Sequence, residues 1–235
     1  MLRLTPMGLR ELVVGTLLLA AVGAVCAWLW WPLVVLPLAV WVWLLAFFRD
    51  PERAIPDEPD VLVSPADGTI SDITSIPEHP QLGGPAVSIG IFLSVFDVHI
   101  NRSPCDGRVL SAVHTPGKFI NALRHREASA LNEANTVLLG DVETGRPLVV
   151  VRQIVGLIAR RIVFTPRVGT VLRRGERIGM MKFGSRTELI VPTSLQPQVL
   201  VTVGQKVRGG SDVVVRLGAG SRAFGSARPL QETAV

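Results

Sequence analysis

The sequence predicts a mainly β domain of the α+β class, with a barrel-sandwich or lipoyl-like hybrid core and helix inserts, preceded by an N-terminal hydrophobic helical hairpin. Three observations predict this fold class. A long uncharged run opens the chain, short apolar runs separated by Gly and Pro fill the rest, and only residues 118–133 show helical spacing of any length. We expect a membrane anchor over 1–50, the main domain over 51–217 and a mobile tail over 218–235.

The uncharged run extends from Leu12 to Phe48, and as one straight helix it would be about 55 Å long at ~1.5 Å per residue. A hydrocarbon core of ~30 Å does not need that length. Because Pro32 and Pro37 interrupt the run, we expect a full span over 12–31 and a shorter returning helix over 33–48. Whether the second helix spans the bilayer or lies partly in its interface stays open.

Arginines flank the anchor on both sides, with Arg3 and Arg10 before it and Arg49 and Arg53 after it. The positive-inside rule therefore places both ends in the cytoplasm, with the main domain facing inward at the cell membrane. A secretory signal peptide is the alternative, but the apolar run is far longer than the hydrophobic region of such peptides and has no small-residue cleavage site.

The composition, 48% hydrophobic and 18% charged, excludes a disordered chain, and the formal net charge is +5. Nearly all of the cations are arginines, whose planar guanidinium suits phosphate or carboxylate ligands. A nucleic acid is not expected as a partner, because the arginines are dispersed and the chain has no tyrosine to stack on bases. The two cysteines, Cys26 and Cys105, cannot build a disulfide scaffold and indicate a reducing compartment.

The main domain reads as a series of short strands, and two segments share a strand, glycine turn, strand pattern. These segments are 169–179 and 203–209, and 64–70 has the shape of an opening strand and turn. The predicted strands are 61–63, 68–73, 86–92, 107–113, 136–139, 148–158, 160–164, 169–171, 188–191, 199–203 and 212–217. A hybrid sandwich explains this glycine spacing without any catalysis.

The histidines give no metal-binding pattern, because no His-x-His pair occurs in the sequence. We expect no metal, and we expect His79 and His125 at the surface. His99 differs, since it lies with Asn101, Arg102 and Asp106 in a short segment between strands, where such groups can exchange protons near neutral pH.

The pair Gly184-Ser185 lies between a glycine-turned half of the sandwich and the predicted strand 188–191. A serine oxygen can attack the preceding carbonyl only where the local backbone is bent, and glycine permits that bend. The same dipeptide occurs at 210–211, 220–221 and 225–226, so the pair alone is a weak signal. Its position on a rigid scaffold distinguishes 184–185.

A set of segments in the main domain resembles the short form of the phosphatidylserine decarboxylase proenzyme family, in family order from about residue 47 to 192. The matching segments are Phe47-Phe-Arg-Asp-Pro51, Ser64-Pro-Ala-Asp-Gly68, Asp97-Val-His-Ile-Asn-Arg-Ser-Pro104, Pro116-Gly-Lys-Phe119, Asn132-Glu-Ala-Asn135, Gln153-Ile-Val-Gly-Leu-Ile-Ala-Arg-Arg161, Arg174-Gly-Glu-Arg-Ile-Gly179 and Phe183-Gly-Ser-Arg186.

The resemblance implies an inactive precursor that cuts itself between Gly184 and Ser185. It implies a β chain of 1–184, an α chain of 185–235 that stays with it as a heterodimer or higher oligomer, and a covalent pyruvoyl cofactor made from Ser185. Asp67 matches the carboxylate of the family that is implicated in processing. The long forms usually carry His-x-x-His where this chain has His99 and Arg102. Arginine cannot act as a base at neutral pH, so His99 would serve processing, protonation after decarboxylation, or both.

In turnover, the resemblance implies a Schiff base between the pyruvoyl group and membrane phosphatidylserine, with loss of CO2 to give phosphatidylethanolamine. Arg160, Arg161 and Arg102 are candidates for binding the phosphodiester or the departing carboxylate, although a solvated face explains the arginine pair equally well. Two alternatives remain. One is a non-catalytic, membrane-tethered binding module, and the other is a pyruvoyl decarboxylase of a soluble amino acid.

Overall fold

The computed structural model describes residues 3–157, 161–182 and 184–218. Its N-terminal part is a pair of apolar helices, α1 (Leu9–Leu29) and α2 (Val35–Phe47), joined by the 3-10 turn Trp31–Val34. The turn contains Pro32, as the sequence predicts. The indole of Trp41 donates a hydrogen bond to Thr16 Oγ1 across the pair (3.1 Å), and a bridge between Leu4 and Arg49 brings the two ends together.

None of the residues of helix α1 is buried, and many of its apolar side chains are exposed, Leu17 and Leu18 among them. With the preceding 3-10 turn it is long and apolar enough to cross a membrane, over Pro6–Leu29, whereas the second helical segment is shorter than a full span. The core helix of a soluble protein would be covered by other elements. The exposed apolar surface of α1 is therefore consistent with a membrane anchor.

Strands dominate the rest of the described chain. In order, they are β1 (Val61–Val63), β2 (Gly68–His79), β3 (Gly84–Leu93), β4 (Ile100–Arg102), β5 (Gly107–Thr115), β6 (Ala134–Gly140), β7 (Pro147–Val155), β8 (Ile162–Phe164), β9 (Val171–Leu172), β10 (Arg177–Met181), β11 (Ser185–Pro192), β12 (Gln198–Val199), β13 (Lys206–Val207) and β14 (Val213–Arg216). One more helix, α3 (His125–Leu131), lies between β5 and β6. The predicted mainly β class with an N-terminal apolar helix pair is confirmed.

A curled eight-stranded sheet carries most of the domain, in the order β13-β2-β3-β11-β7-β6-β5-β9. Two three-stranded sheets, β4-β10-β8 and β1-β14-β12, complete it. Strand β11 lies inside the large sheet, antiparallel to β3 on one side and to β7 on the other. All eight of its residues are buried, so its first residue, Ser185, is held by the sheet on both sides.

Three apolar clusters lie in the described part of the chain, and two of them bear on the site. The larger one fills the curled sheet and includes Leu189 and Val191 of β11. The smaller one joins the helix pair to the domain and contains Leu44, Phe47, Phe48, Val98, Ile100 and Met180. Because this smaller cluster combines residues of α2 with residues of β4 and β10, the base of the anchor is packed into the domain.

The structure corrects one predicted helix. Residues 118–133 do not form a helix throughout, since only His125–Leu131 is helical. The Lys118 amide donates to the Leu131 carbonyl (2.7 Å) and the Glu133 amide donates to the Lys118 carbonyl (3.1 Å). The Asn132 side chain also bonds both backbone groups of Ile120. These contacts fold the segment into a loop that returns to its own start.

The predicted strands do not include β4, which lies in the segment around His99. Strands β10 and β13 are absent from the individual predicted strands as well, but they match the second strands of the strand, glycine turn, strand patterns at 169–179 and 203–209. The proposed domain boundaries stay predictions, and nearly all of the predicted tail, 219–235, lies outside the described residues.

Asp50 joins the anchor to the domain through a buried ion-pair network. Its side chain is only 2% exposed and accepts hydrogen bonds from Arg102 Nη2 (3.0 Å) and Arg177 Nε (2.6 Å). The Asp50 amide donates to the Arg3 carbonyl (2.7 Å). Removing the charge would leave the buried guanidinium of Arg102 without its carboxylate.

We expect Asp50→Asn to lower the free energy of unfolding by about 3–5 kcal/mol, the usual cost of breaking a buried ion pair from one side. Chemical denaturation of the full chain in detergent measures this change. Asp57→Asn, at an exposed position in the same linker, is the control and should change the value by less than about 0.5 kcal/mol. Equal effects of the two substitutions would contradict the structural importance of the network.

Candidate active site

Ser185 begins strand β11 and is completely buried. Its backbone lies opposite Leu93 of β3 and Val155 of β7. Side chains alternate along a strand, so Ser185 shares a face with Leu189 and Val191 of the main core. The Ser185 hydroxyl oxygen has no hydrogen-bond partner among the described residues. A buried hydroxyl without a partner is unusual and indicates a functional position.

The carbonyl of Gly184 directly precedes this serine. Gly184 has a φ of 61°, in the left-handed region that glycine adopts without penalty. Its carbonyl oxygen lies against Gly156, just beyond the end of β7. A Cβ added at Gly156 would overlap that oxygen and would also approach the Ala122 methyl. The absence of a side chain at Gly156 therefore leaves the space in which the Gly184 carbonyl sits.

His99 is buried just before β4 and has one of its two ring nitrogens unpartnered. Nδ1 lies 3.0 Å from the carbonyl oxygen of Asp97, and because a carbonyl can only accept, Nδ1 carries the proton. Nε2 is then a bare lone pair, and it has no partner in the described part of the chain. The His99 backbone carbonyl accepts from the Met181 amide at 3.2 Å, on the strand that leads toward Ser185.

The imidazole of His99 is held in its neutral form. Burial lowers its pKa to about 4 from 6.5, although the Asp97 carbonyl and carboxylate act in the opposite direction. Part of this burial comes from Phe47 at the end of α2, whose ring centroid is 4.3 Å from that of His99. A neutral imidazole with a free lone pair can accept a proton at physiological pH.

Asp67 lies in the turn between β1 and β2. Its carboxylate is hydrogen-bonded to Arg53 and to the backbone of Gly209, and not to His99. Its Oδ2 accepts from Arg53 Nη2 (2.6 Å) and its Oδ1 accepts from the Gly209 amide (2.8 Å). Burial raises its pKa, opposed by the charge of Arg53 and by the Gly209 amide. The nearby charge of Asp97 also raises the Asp67 pKa, and Asp97 offers its carbonyl to His99.

The three candidate arginines fall into different environments. Arg102 is 5% exposed, and its Nη1 and Nη2 donate to Asp50, Pro51 and Gly175. These contacts favour a structural function for Arg102 over substrate binding. Arg161 has a side chain that is 63% exposed and lies near Glu11 of α1, at 3.9 Å. Arg160 lies outside the described residues.

The sequence analysis missed a buried polar network beside Ser185. Asn101 donates to Thr187 Oγ1 (3.0 Å) and accepts from Gln153 Nε2 (2.9 Å), while Asn135 donates to Gln153 Oε1 (2.9 Å). Asn101, Asn135 and Gln153 each lie in a segment that carries the family resemblance, and this was the signal available. The network ties β4, β6, β7 and β11 together next to the candidate serine.

A polar cleft of about 410 Å³ lies elsewhere on β11, lined by Arg186, Glu188, Asp72 and Arg152 among others. Arg186 and Glu188 alternate with Ser185 and Thr187, so this cleft is on the opposite face of the strand. Its charges are paired internally, for example Arg186 with Asp72 at 2.6 Å.

Across residues 3–157, 161–182 and 184–218, no three His, Cys, Asp or Glu side chains are grouped as metal ligands would be.

Comparisons with known proteins agree on one family. A family model described as phosphatidylserine decarboxylase matches residues 42–215. The chain is 46% identical over 209 residues to the phosphatidylserine decarboxylase proenzyme of Rhodopirellula baltica, which covers 89% of this chain and 86% of that protein. It is 40% identical over 220 residues to the proenzyme of the same name from Zymomonas mobilis, with coverage of 89% and 85%.

A third relative is the proenzyme of the same name from Carboxydothermus hydrogenoformans, 42% identical over 178 residues, which are 76% of this chain and 81% of that protein. The range of the family model, 42–215, includes Ser185, Gly184, Gly156 and His99.

The neutral state of His99 predicts a pH dependence of stability. The unfolded chain binds a proton at a pKa near 6.5 and the folded chain only near 4, so stability is lost as the pH falls from 6.5 toward 4. The His99→Gln variant lacks this titration. As the pH falls from 7 to 4, we expect its free energy of unfolding to decrease by about 3 kcal/mol less than that of the wild type. Denaturant titrations at each pH measure this difference.

The control is His114→Gln, because the His114 side chain is 54% exposed. A His99→Gln variant with the same pH dependence as the wild type would contradict a neutral, buried imidazole at position 99.

Proposed function

This chain belongs to the phosphatidylserine decarboxylase family of carboxy-lyases, and on that basis we propose that it decarboxylates phosphatidylserine to phosphatidylethanolamine after converting Ser185 into a pyruvoyl group. The observation that carries the proposal is the buried, unpartnered Ser185 hydroxyl directly after a glycine of positive φ. A serine that served only as a turn residue would expose its hydroxyl or bond it.

The first step is self-cleavage between Gly184 and Ser185. Ser185 Oγ adds to the Gly184 carbonyl carbon, and we assign His99 Nε2 as the base that takes the hydroxyl proton. The C–N bond then breaks and the Ser185 nitrogen receives the proton, leaving an ester between the two residues. Loss of the Ser185 Cα proton then breaks the ester bond at Cβ and expels the Gly184 carboxylate. Water finally hydrolyses the bond between the Ser185 Cα and its nitrogen, which releases ammonia and leaves the keto group.

The residues around Ser185 fit such a group. The site is buried, and the sheet fixes the Ser185 backbone through β3 and β7. A pyruvoyl group keeps the Cα and Cβ of Ser185, with a keto oxygen in place of the backbone nitrogen and no hydroxyl, so it needs no more space than the serine. There the pyruvoyl carbonyl would supply an electron sink for the pair released with CO2. The lone pair of His99 is suited to hold and return a proton in the dry pocket beneath Phe47.

The two chains made by cleavage would remain associated. The α chain would carry β11 to β14 within the described residues, and β11 is paired along its length with strands of the β chain. Strands β13 and β14 likewise pair with β2 and β1. Separating the chains would break these ladders and expose a buried core, so we expect a stable heterodimer as the unit of any larger oligomer.

The substrate would approach from the membrane side of the domain. The helix pair keeps the domain at the bilayer, and the flanking arginines favour an orientation toward the cytoplasm. We assign Arg161, exposed near the base of α1, to the lipid phosphodiester, and we keep Arg160 with it from the sequence pattern. Arg102 is left out because its terminal nitrogens bond the protein.

Asp67 keeps its place in the proposal as a residue needed for processing. Its contacts with Arg53 and the Gly209 amide support a positioning function, since it holds the linker after the anchor against the turn before β14. The carboxylates of Asp67 and Asp97 also interact electrostatically. The backbone carbonyl of Asp97 in turn fixes the tautomer of His99.

We expect Ser185→Ala to remain a single 25.3 kDa chain without decarboxylase activity, because no hydroxyl can attack Gly184. Mass spectrometry would show chains of 1–184 and 185–235 for the wild type, the second with a blocked amino end. Ser211→Ala, in the Gly210-Ser211 pair, is the matched control and should be cut normally. An uncut wild type with full lipid turnover, or turnover of free serine without lipid, would refute the proposal.

We expect Gly156→Ala to slow self-cleavage by about 10-fold or more, since a displacement near 1 Å at a reacting group can cost ~10²-fold. The added methyl would overlap the Gly184 carbonyl oxygen. A time course of chain release on gels measures the rate. Gly84→Ala, where a Cβ meets nothing within 4 Å, should process at the wild-type rate, and a Gly156→Ala variant that does the same would count against this placement of the carbonyl.

A further inference from the structure

We propose that Glu11 of the apolar helix α1 is a positioning residue for self-cleavage, acting through an ion pair with Lys182. The pair would make cleavage at Gly184 depend on the seating of the helix pair against the domain. This inference rests on the proposed function, because it concerns the same bond.

The contact between the two residues is short and largely buried. Lys182 Nζ lies 2.6 Å from Glu11 Oε1, and the lysine side chain is only 6% exposed while that of Glu11 is 31% exposed. In the described part of the chain, Glu11 is the one carboxylate within ion-pair distance of Lys182. Arg161, at 3.9 Å from the same oxygen and 63% exposed, contributes little.

Lys182 is two residues before the scissile bond, in a connection that is pinned at both ends. Met181 ends β10, where it pairs with Ile162 and donates to the His99 carbonyl. Ser185 begins β11, which is held on both sides. Only three residues separate Met181 from Ser185 in the sequence, so Lys182 is joined to Gly184 by a short covalent connection.

The position of Glu11 is set by contacts of the helix base with the domain. The Thr5 amide donates to the Phe48 carbonyl (3.0 Å) and the Asp50 amide donates to the Arg3 carbonyl (2.7 Å). Above this short pairing, Leu12 packs against the cluster that contains Phe47 and Met180. Glu11 therefore reaches Lys182 only when the start of α1 lies against the end of α2 and strand β10.

Removing the carboxylate would leave a buried ammonium group without a counter-charge. Breaking a buried pair from one side is strongly unfavourable, and the lysine relieves it by moving its ammonium toward water. That movement pulls on residues 182–184, and the attack of Ser185 Oγ on the Gly184 carbonyl tolerates little displacement. The expected consequence is slow processing with an otherwise folded domain.

The experiment follows cleavage of the newly synthesised full chain in lipid vesicles. We expect the Glu11→Gln chain to be cut after Gly184 about 10-fold more slowly than the wild type. Once cleavage has occurred, its turnover per pyruvoyl group should fall by a smaller factor. Glu11→Asp, which keeps the charge, and the exchanged pair Glu11→Lys with Lys182→Glu should each recover part of the processing rate.

Glu52→Gln is the matched control, because Glu52 forms an exposed pair with Arg3 at 3.6 Å and its side chain is 85% exposed. Wild-type processing by Glu11→Gln would overturn the inference, and so would equal losses of processing and of turnover per pyruvoyl group, or no recovery in either restored variant. Failure of the proposed function is a distinct result, in which the wild type itself stays uncut.

Discussion

Strand β11 is bonded to β3 on one side and to β7 on the other, and this double pairing fixes the residue on which the proposed chemistry depends. Ser185 is the first residue of the strand. Its backbone is held in the sheet because it is paired with Leu93 on one side and Val155 on the other. Gly184, just outside the strand, takes the positive φ that turns the chain into it. The reacting bond thus lies at the boundary between a rigid ladder and a short connection, where geometry can be strained without unfolding the strand.

The burial that fixes Ser185 also leaves polar atoms without partners. Ser185 Oγ and His99 Nε2 are both buried and unpartnered within the described residues, and each such atom costs about 1–3 kcal/mol. Nearby, hydrogen bonds join the side chains of Asn101, Gln153 and Asn135 and connect their strands. Two of the unpartnered buried atoms of the described residues are therefore the hydroxyl and the ring nitrogen that the proposed proton transfer uses, while the polar network of Asn101, Gln153 and Asn135 is bonded.

The sequence predicts the strands well because alternation and glycine turns are local signals. It predicts Ser185, Gly184 and His99 because the family resemblance marks them. Contacts between distant segments cannot be predicted from local patterns. Arg102 illustrates this, because the sequence offers it as a candidate for substrate binding, whereas in the structure it forms a buried pair with Asp50, far away in the chain. The helix expected over 118–133 fails for a more local reason, since the Asn132 side chain bonds back to the Ile120 backbone within the same segment and competes with helical hydrogen bonds.

The helix pair, which contains the candidate membrane anchor, is also part of the wall of the candidate active site. Phe47 ends α2 and covers the His99 ring, so the element that would hold the domain at the bilayer also removes water from the imidazole and contributes to its lowered pKa. Met180 of β10 belongs to the same apolar cluster as Phe47, and β10 leads through Lys182 to the reacting bond. A change in how the helix pair packs against the domain would therefore reach both His99 and Lys182 through direct packing.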